Sequence, residues 1–271
     1  MKQYLSIISL LILAACNGND NDDPEIPIVA RENVPVAAPM TFTISNQFPH
    51  DTGAFTEGLQ IYKGKFYEGT GEFESSALQI SDIKTGKVEQ KHNMGSNIIF
   101  GEGINVFKGK IYQLTWQSHI VYVYDEKDIT KPIQTLRWPY EGWGMTNNGT
   151  DLIISDGTAN IYFVNPADFS VRNTLQVKDN TGFVQLVNEL EYVDGFIFAN
   201  IWQKDEIIKI NPANGHVVGR LVISGLPQQY FPKEIIPGRT DVMNGIAYDS
   251  TTKKMYITGK RWPKVFEGRM Q

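Results

Sequence analysis

Cysteine is almost absent from this chain of 271 residues, because Cys16 is the only one. One thiol cannot form a disulfide within the chain, and Cys16 precedes every strand-like segment of the sequence. Disulfides, catalytic cysteines and thiolate metal sites are therefore excluded from the folded part. Histidine is also scarce, since the chain has four and none stands at the spacing of a zinc site. A catalytic zinc is not expected, and a structural metal ion such as calcium is compatible with the sequence but is not predicted.

Positive charge is not in excess either. The net charge is -5 and the sequence pI is about 5.5, with no basic stripe along the chain. Attraction to a phosphate backbone is therefore not supported, and nucleic acid is excluded as an expected partner. The sequence also lacks a glycine-rich phosphate-binding loop, so a nucleotide cofactor is not expected.

The apolar run near the N-terminus is too short to cross a bilayer as a helix. It extends from Tyr4 to Leu13, follows Lys2 and leads into Leu13-Ala14-Ala15-Cys16. This arrangement resembles a bacterial lipoprotein signal, in which cleavage leaves a lipidated cysteine. We predict a signal peptide over residues 1–15, and a lipidated Cys16 with a flexible tether over residues 16–40. The protein is then exported and lipid-anchored in the bacterial cell envelope. An ordinary cleaved signal with an incidental cysteine is the alternative.

A hairpin pattern recurs five times in the remainder of the chain. Each repeat is a short apolar strand, a turn and a second apolar strand, and the repeats begin at residues 58, 103, 144, 189 and 245. Recurrence every forty-odd residues is typical of a β-propeller. We therefore predict an all-β domain over residues 41–271, folded as a five-bladed propeller with four-stranded antiparallel blades.

The outer strands of the blades and the closure of the ring can be predicted too. A second hairpin follows each of the first four repeats, at 77–94, 119–138, 160–177 and 206–223. After the fifth repeat too few residues remain for a second hairpin, while the strand-like segment Thr41 to Phe48 has no partner. We expect this N-terminal strand to close the ring in the last blade. Leu226 to Asp241, with three prolines, is predicted to be a loop over a channel mouth.

Radial symmetry brings equivalent positions of the repeats together at one end of the central channel. The position directly before each repeat is occupied by Glu57, Glu102, Trp143, Asn188 and Asn244. The end of each second strand is occupied by Gly71, Trp116, Gly157, Trp202 and Lys260. Carboxylates, amides, tryptophans and a lysine are therefore predicted to converge on one site.

Nine short motifs occur in order along the domain. They are FPHD at 48–51, AFTEGL at 54–59, FGEG at 100–103, GWG at 142–144, SDG at 155–157, NELE at 188–191, ANIW at 199–202, NGIA at 244–247 and TGK at 258–260. This series resembles the plant and bacterial type of glutaminyl-peptide cyclotransferase, which is itself a five-bladed propeller. The resemblance covers residues 42–266.

The resemblance implies an activity and a set of site residues. The activity is conversion of the N-terminal glutamine of peptides or proteins to pyroglutamate with release of ammonia, by a monomer that needs no cofactor. The implied catalytic residues are Glu102, Lys260 and Asn188, and the implied substrate-binding residues are Glu57, Trp116, Trp143 and Trp202. The family usually has glutamine at the position of Glu57, so the optimum pH or the substrate preference is expected to differ here.

Two other functions are compatible with the residues alone. The first is a non-catalytic propeller that captures peptide N-termini in a tryptophan-lined channel. The second is a metal-dependent propeller hydrolase, which would require several carboxylates or histidines around one ion.

Overall fold

The computed structural model describes residues 33–271. The predicted signal peptide, Cys16 and the tether up to residue 32 lie outside the described residues. Within residues 33–271 no helix is long and apolar enough to cross a bilayer.

Each of the five blades has four antiparallel strands, and a short additional strand pairs in parallel at the outer edge of blade four. Two strands precede the first complete blade: β1 (Ala38–Pro39) and β2 (Phe42–Pro49). Blade one contains β3 (Thr56–Tyr62), β4 (Lys65–Thr70), β5 (Ala77–Asp82) and β6 (Val88–Asn93). Blade two contains β7 (Gly101–Phe107), β8 (Lys110–Thr115), β9 (Ile120–Asp125) and β10 (Gln134–Arg137). Blade three contains β11 (Met145–Asn147), β12 (Leu152–Ser155), β13 (Asn160–Val164) and β14 (Val171–Gln176).

The second half of the chain completes the ring. A short hairpin, β15 (Lys178–Asp179) and β16 (Gly182–Phe183), follows blade three. Blade four contains β17 (Val187–Val193), β18 (Phe196–Ile201), β19 (Glu206–Ile210) and β20 (Val217–Val222). The helix α1 (Leu226–Tyr230) leads to blade five, with β21 (Met243–Asp249), β22 (Lys254–Gly259), β23 (Lys264–Met270) and β2. The first strands of neighbouring blades contact one another around the axis, which confirms the predicted five-bladed propeller.

The N-terminal strand closes the ring as predicted. Strand β2 pairs antiparallel with β23, from Phe42 opposite Met270 to Pro49 opposite Lys264. Strand β2, near the start of the described chain, and β23, the last strand, therefore share one sheet.

Five hydrophobic clusters fill the spaces between neighbouring blades. Strand β9 illustrates how one strand serves two clusters. Val121 and Val123 pack toward blade three, whereas Tyr122 and Tyr124 pack toward blade one. Because side chains alternate across a strand, an apolar run buries both faces of a blade that is covered on both sides.

Two segments differ from the expectations. The structured part begins before residue 41, because Val34 is buried and Ala38–Pro39 pairs in parallel with β20. Two strand residues that include a proline give no periodic signal. The segment 226–241 is not entirely loop, since Pro227 stands in the first turn of α1, where a missing N–H costs nothing. Leu226 and Phe231 are buried against the domain.

The first strand of each blade, which lies nearest the axis, is its inner strand. Irregular pairing at the start of four inner strands positions the site. The register shifts between Thr56 and Gly58, between Gly101 and Ile104, between Val187 and Leu190, and between Met243 and Ile246. Such β-bulges re-aim side chains and are common beside functional sites. Each of these four bulges contains one of the polar residues that were expected to converge.

Candidate active site

One cavity of about 320 Å³ lies where the inner strands begin. Its lining is Phe55, Glu57, Phe100, Glu102, Trp116, Trp143, Asn188, Trp202, Gln203, Asp241 and Lys260. All seven residues named above as catalytic or substrate-binding are among them. They come from all five blades, so the ring brings together residues that are far apart in sequence.

A buried ion pair forms part of the lining of this cavity, which is called the catalytic cavity below. The Nζ of Lys260 donates to Oε1 of Glu57 at 2.7 Å and lies 4.5 Å from the centre of the Phe55 ring. The Nδ2 of Asn244 donates to the other oxygen of Glu57 at 3.3 Å. Asn244 therefore stands behind Glu57 and does not line the cavity.

Two carboxyl groups share this buried environment. Burial raises the pKa of Glu57 to about 7, although the charge of Lys260 and the hydrogen bond from it act in the opposite direction. Burial also raises the pKa of Glu102 well above its ordinary value, and the like charge of Glu57 adds to the rise. One lysine cannot offset two buried negative charges, so the pair loses its protons in two steps. Lys260 bonds Glu57 directly and so favours the ionised form of Glu57.

Aromatic rings form the walls of the cavity. Trp143 and Trp202 meet edge to face with ring centroids 5.5 Å apart. Phe100 contacts Trp116 at 5.9 Å and Phe55 at 6.1 Å, also edge to face. These contacts are near the preferred geometry of aromatic pairs and fix the shape of the pocket.

Glycines at the ends of two second strands make room for these rings. A Cβ on Gly71 would lie 2.3 Å from the Phe100 ring, and one on Gly157 would lie 2.4 Å from the Trp143 indole. Gly157 also has a φ of 78°, which favours glycine. At this position two repeats have a tryptophan that enters the wall, and two have a glycine that leaves room for a ring, from the next blade at Gly71 and from the same blade at Gly157.

Glu141 holds the tryptophans in place from outside the cavity. Its Oε2 accepts the indole N–H of Trp116 at 2.8 Å and that of Trp143 at 3.0 Å, and its backbone carbonyl accepts the indole N–H of Trp138. Burial raises the pKa of Glu141, but hydrogen bonds from Gln117 and the two indoles outweigh it and lower the pKa. An anionic acceptor for two indoles fixes both ring orientations.

Asn188 presents an unused acceptor. Its side chain is buried, and its Oδ1 finds no hydrogen-bond partner within the described part of the chain. A buried amide oxygen without a partner is costly unless a ligand satisfies it. Because Asn188 lines the cavity, it can accept an N–H of a bound molecule.

Several site residues were not singled out from the sequence. Three of them share one position in their repeats, two residues before the residue that directly precedes the repeat. They are Phe55, Phe100 and Glu141, and this shared position is the signal that could identify them in the sequence. Asp241 belongs to the long segment before blade five, and Gln203 follows a wall tryptophan. In residues 33–271 no group of three or more His, Cys, Asp or Glu side chains is arranged to hold a metal ion.

Comparison with known proteins decides the family. The sequence model described as glutamine cyclotransferase matches residues 12–270. The chain belongs to the glutamine cyclotransferase family. A curated relative from Arabidopsis thaliana, glutaminyl-peptide cyclotransferase, is 35% identical over 227 residues, which is 83% of this chain and 70% of the relative. The crystal structure of the Myxococcus xanthus glutaminyl cyclase superposes with a TM-score of 0.79 at 32% identity, covering 87% of this chain and 98% of that one. The protein is an enzyme with glutamine cyclotransferase function.

Proposed function

We propose that this cyclotransferase acts on the N-terminal glutamine of peptides or proteins, and that Glu102, Lys260 and Asn188 carry out the reaction. The observation that carries the assignment is the cavity itself, in which two buried carboxyl groups, one ammonium group and an unused amide oxygen face a space of about 320 Å³. That set suits a reaction in which a proton moves between two nitrogens and an oxygen gains negative charge.

The reaction joins two groups of one residue. The α-amine nitrogen of glutamine attacks the side-chain amide carbon, a five-membered lactam forms, and the bond to the amide nitrogen breaks to release ammonia. One proton leaves the α-amine and one arrives on the departing nitrogen, so protons balance without a co-reactant. The enzyme has to select the folded conformer and move this proton.

Glu102 is the residue that moves the proton. As a carboxylate it accepts the proton of the attacking amine, and as a carboxylic acid it returns that proton to the departing nitrogen. The pKa of an α-amine is about 7.7 to 8.0, and proton transfer in both directions is easiest when the two pKa values are close. Burial and the charge of Glu57 raise the pKa of Glu102 toward that range.

Lys260 and Asn188 bind the reacting amide. The ammonium of Lys260 is held by Glu57 and stabilises the negative charge that develops on the amide oxygen. The free Oδ1 of Asn188 accepts an N–H of the substrate. Trp116, Trp143 and Trp202 pack against the methylene groups of glutamine and exclude water, which strengthens the polar contacts and limits hydrolysis.

Ammonia release from a Gln-Ala dipeptide tests this assignment. We expect Glu102→Gln to lower kcat by about 100- to 10,000-fold, the usual contribution of a general acid or base, in a protein that is still folded and melts cooperatively. The control is Glu191→Gln, which removes another buried glutamate that does not line the cavity. Binding of the dipeptide without ammonia release by the wild-type protein would instead identify a peptide-binding propeller.

The same proposal places the enzyme at the bacterial cell envelope as a monomer anchored through a lipid on Cys16. It is supported by the Leu13-Ala14-Ala15-Cys16 sequence after a short apolar run and by the Asn- and Asp-rich residues that follow. We expect the full-length protein to be found with membranes and Cys16→Ser to be released from them. Equal membrane association of both proteins would refute lipidation, and a dimer mass in sedimentation would refute the monomer.

A further inference from the structure

A second cavity adjoins the catalytic cavity and shares two of its walls. This side groove, of about 390 Å³, is lined by Phe73, Ile98, Ile99, Phe100, Trp116, Gln117, Ser118 and Ile120. Phe100 and Trp116 also line the catalytic cavity. The groove therefore continues from the place where the glutamine is proposed to bind.

The side groove is apolar. Among the described residues that line it none is charged, and its two polar side chains are already engaged. Gln117 donates its amide to Oε1 of Glu141 at 2.9 Å, and Ser118 donates its hydroxyl to the carbonyl of Ile98 at 3.0 Å. Phe73 and Ile98 are nonetheless 49% and 73% exposed. Adjacent large apolar side chains left in water typically mark a binding surface.

The groove is formed without a ligand. Phe73 packs edge to face on Phe100 at 5.4 Å, and Phe100 packs on Trp116. The backbone N–H of Glu74 donates to the carbonyl of Ser96 at 2.7 Å, which joins the two loops that carry Phe73 and Ile98. Preformed apolar sites lose little ordering entropy when they bind a ligand.

The substrate itself supplies the occupant. A peptide whose α-amine and side-chain amide lie in the catalytic cavity must leave through its mouth with the rest of its chain. Each further residue extends the chain by at most about 3.6 Å, so the next two residues are within reach of the shared walls Phe100 and Trp116. Resting on the proposed function, we infer that the side groove binds an apolar side chain from one of the two residues after the glutamine. The enzyme then prefers apolar over glycine or acidic residues at that place.

Rates with tetrapeptides test the inference. We expect kcat/KM to be about 10-fold higher for Gln-Phe-Gly-Gly or Gln-Gly-Phe-Gly than for Gln-Gly-Gly-Gly, a typical discrimination by an apolar pocket. The peptides with glutamate in place of phenylalanine should show no such gain. Ile98→Ser should remove most of the advantage of phenylalanine and leave the rate with Gln-Gly-Gly-Gly unchanged. Ile98 is mostly exposed and does not line the catalytic cavity, so folding should be unaffected.

The matched control is Val222→Ser on the outer strand of blade four, which removes an apolar side chain that is 64% exposed. It should keep the full preference for phenylalanine. Equal rates for all peptides, or an unchanged preference in Ile98→Ser, would overturn the groove assignment while ammonia release still supports the cyclase. A change of oligomeric state in Ile98→Ser without a change of preference would also overturn it. No ammonia from any peptide would overturn the proposed function and the groove assignment together.

Discussion

Two pairs of buried glutamates near the propeller axis differ in what surrounds them. Glu57 and Glu102 face the catalytic cavity, and the ammonium of Lys260 bonds Glu57. Glu189 and Glu191, further along β17, line no part of that cavity. Burial raises the pKa of all four, with Glu57 at about 7 and Glu191 at about 8. A raised pKa therefore does not by itself identify a catalytic acid in this protein.

The second pair joins blades together. Glu189 accepts the backbone N–H groups of Leu59 and Ile246, which belong to blades one and five. Glu191 accepts the N–H of Tyr248 at 2.9 Å and the hydroxyl of Thr146 at 3.3 Å. These carboxyl groups satisfy polar groups of other inner strands across the axis, whereas the first pair leaves space for a substrate.

The largest effect is expected from removing Lys260, the cation that bonds Glu57 of the first pair. Lys260→Met should lower kcat about 100- to 1000-fold, the usual cost of removing a donor to a developing oxyanion. Losing the positive neighbour should also raise the pKa of Glu57 further. Steady-state ammonia release measures the first effect. Lys254→Met, which removes an ion pair with Glu267 on the same blade, should leave kcat unchanged.

A substitution in the second pair, Glu189 and Glu191, should change the free energy of unfolding and not the turnover. Because the pKa of Glu191 is raised in the folded state, its contribution to stability is fully present at low pH and is lost as the pH rises toward about 8. Glutamine can accept from Tyr248 and donate to Thr146, so Glu191→Gln keeps both contacts without the titration. Between pH 5 and pH 8 the variant should gain up to about 4 kcal/mol relative to the wild type, at about 1.4 kcal/mol per pKa unit. Urea unfolding at the two pH values measures this, and parallel stability curves would contradict it.

A smaller effect, on the pH dependence of kcat/KM, is expected when Glu57 of the first pair is replaced and only Glu102 remains as a carboxyl group. In Glu57→Gln the like charge beside Glu102 is gone, so the pKa of Glu102 should fall. The acidic limb of the kcat/KM profile should then move to lower pH by about one unit, the scale of a nearby charge effect. An unmoved limb would mean that a group other than Glu102 controls it.

The smallest effect should come from the residue that fixes the tryptophan wall. Glu141→Ala leaves the indole N–H groups of Trp116 and Trp143 without their shared acceptor. We expect KM for Gln-Ala to rise about 5- to 10-fold, from partial loss of pocket shape, with a smaller change in kcat. Glu141→Gln should restore most of the binding, because its amide oxygen can still accept. A change in kcat alone would place Glu141 among the reacting groups instead.

Much of the candidate site could be predicted from the position that its residues share in the repeated hairpins. Glu57, Glu102 and Asn188 share one position in their repeats, and the ring brings equivalent positions together whatever their separation in sequence. The β-bulges that turn these side chains into the cavity left no sequence signal, because one extra residue in a strand does not disturb an apolar repeat. Glu141 acts from behind the tryptophan wall, so the position that directly precedes each repeat does not indicate it.

The contacts of the N-terminal segment could not be predicted for a different reason. Ala38 and Pro39 pair with β20 through two residues, too few to give alternation, and proline is a poor strand signal. The helix α1 has only five residues, and the three prolines of the segment 226–241 favour a loop, although Pro227 occupies the first turn of the helix, where proline is tolerated.

The pairing of β2 with β23 also makes the activity depend on residues that lie outside the cavity. Glu57 belongs to blade one and Lys260 to blade five, and β2 leads into blade one while it completes the sheet of blade five. Deletion of Lys264–Met270 would leave β2 without its partner strand and the ring without its closing pair. Such a truncated protein should be inert, although every residue that lines the cavity is still present.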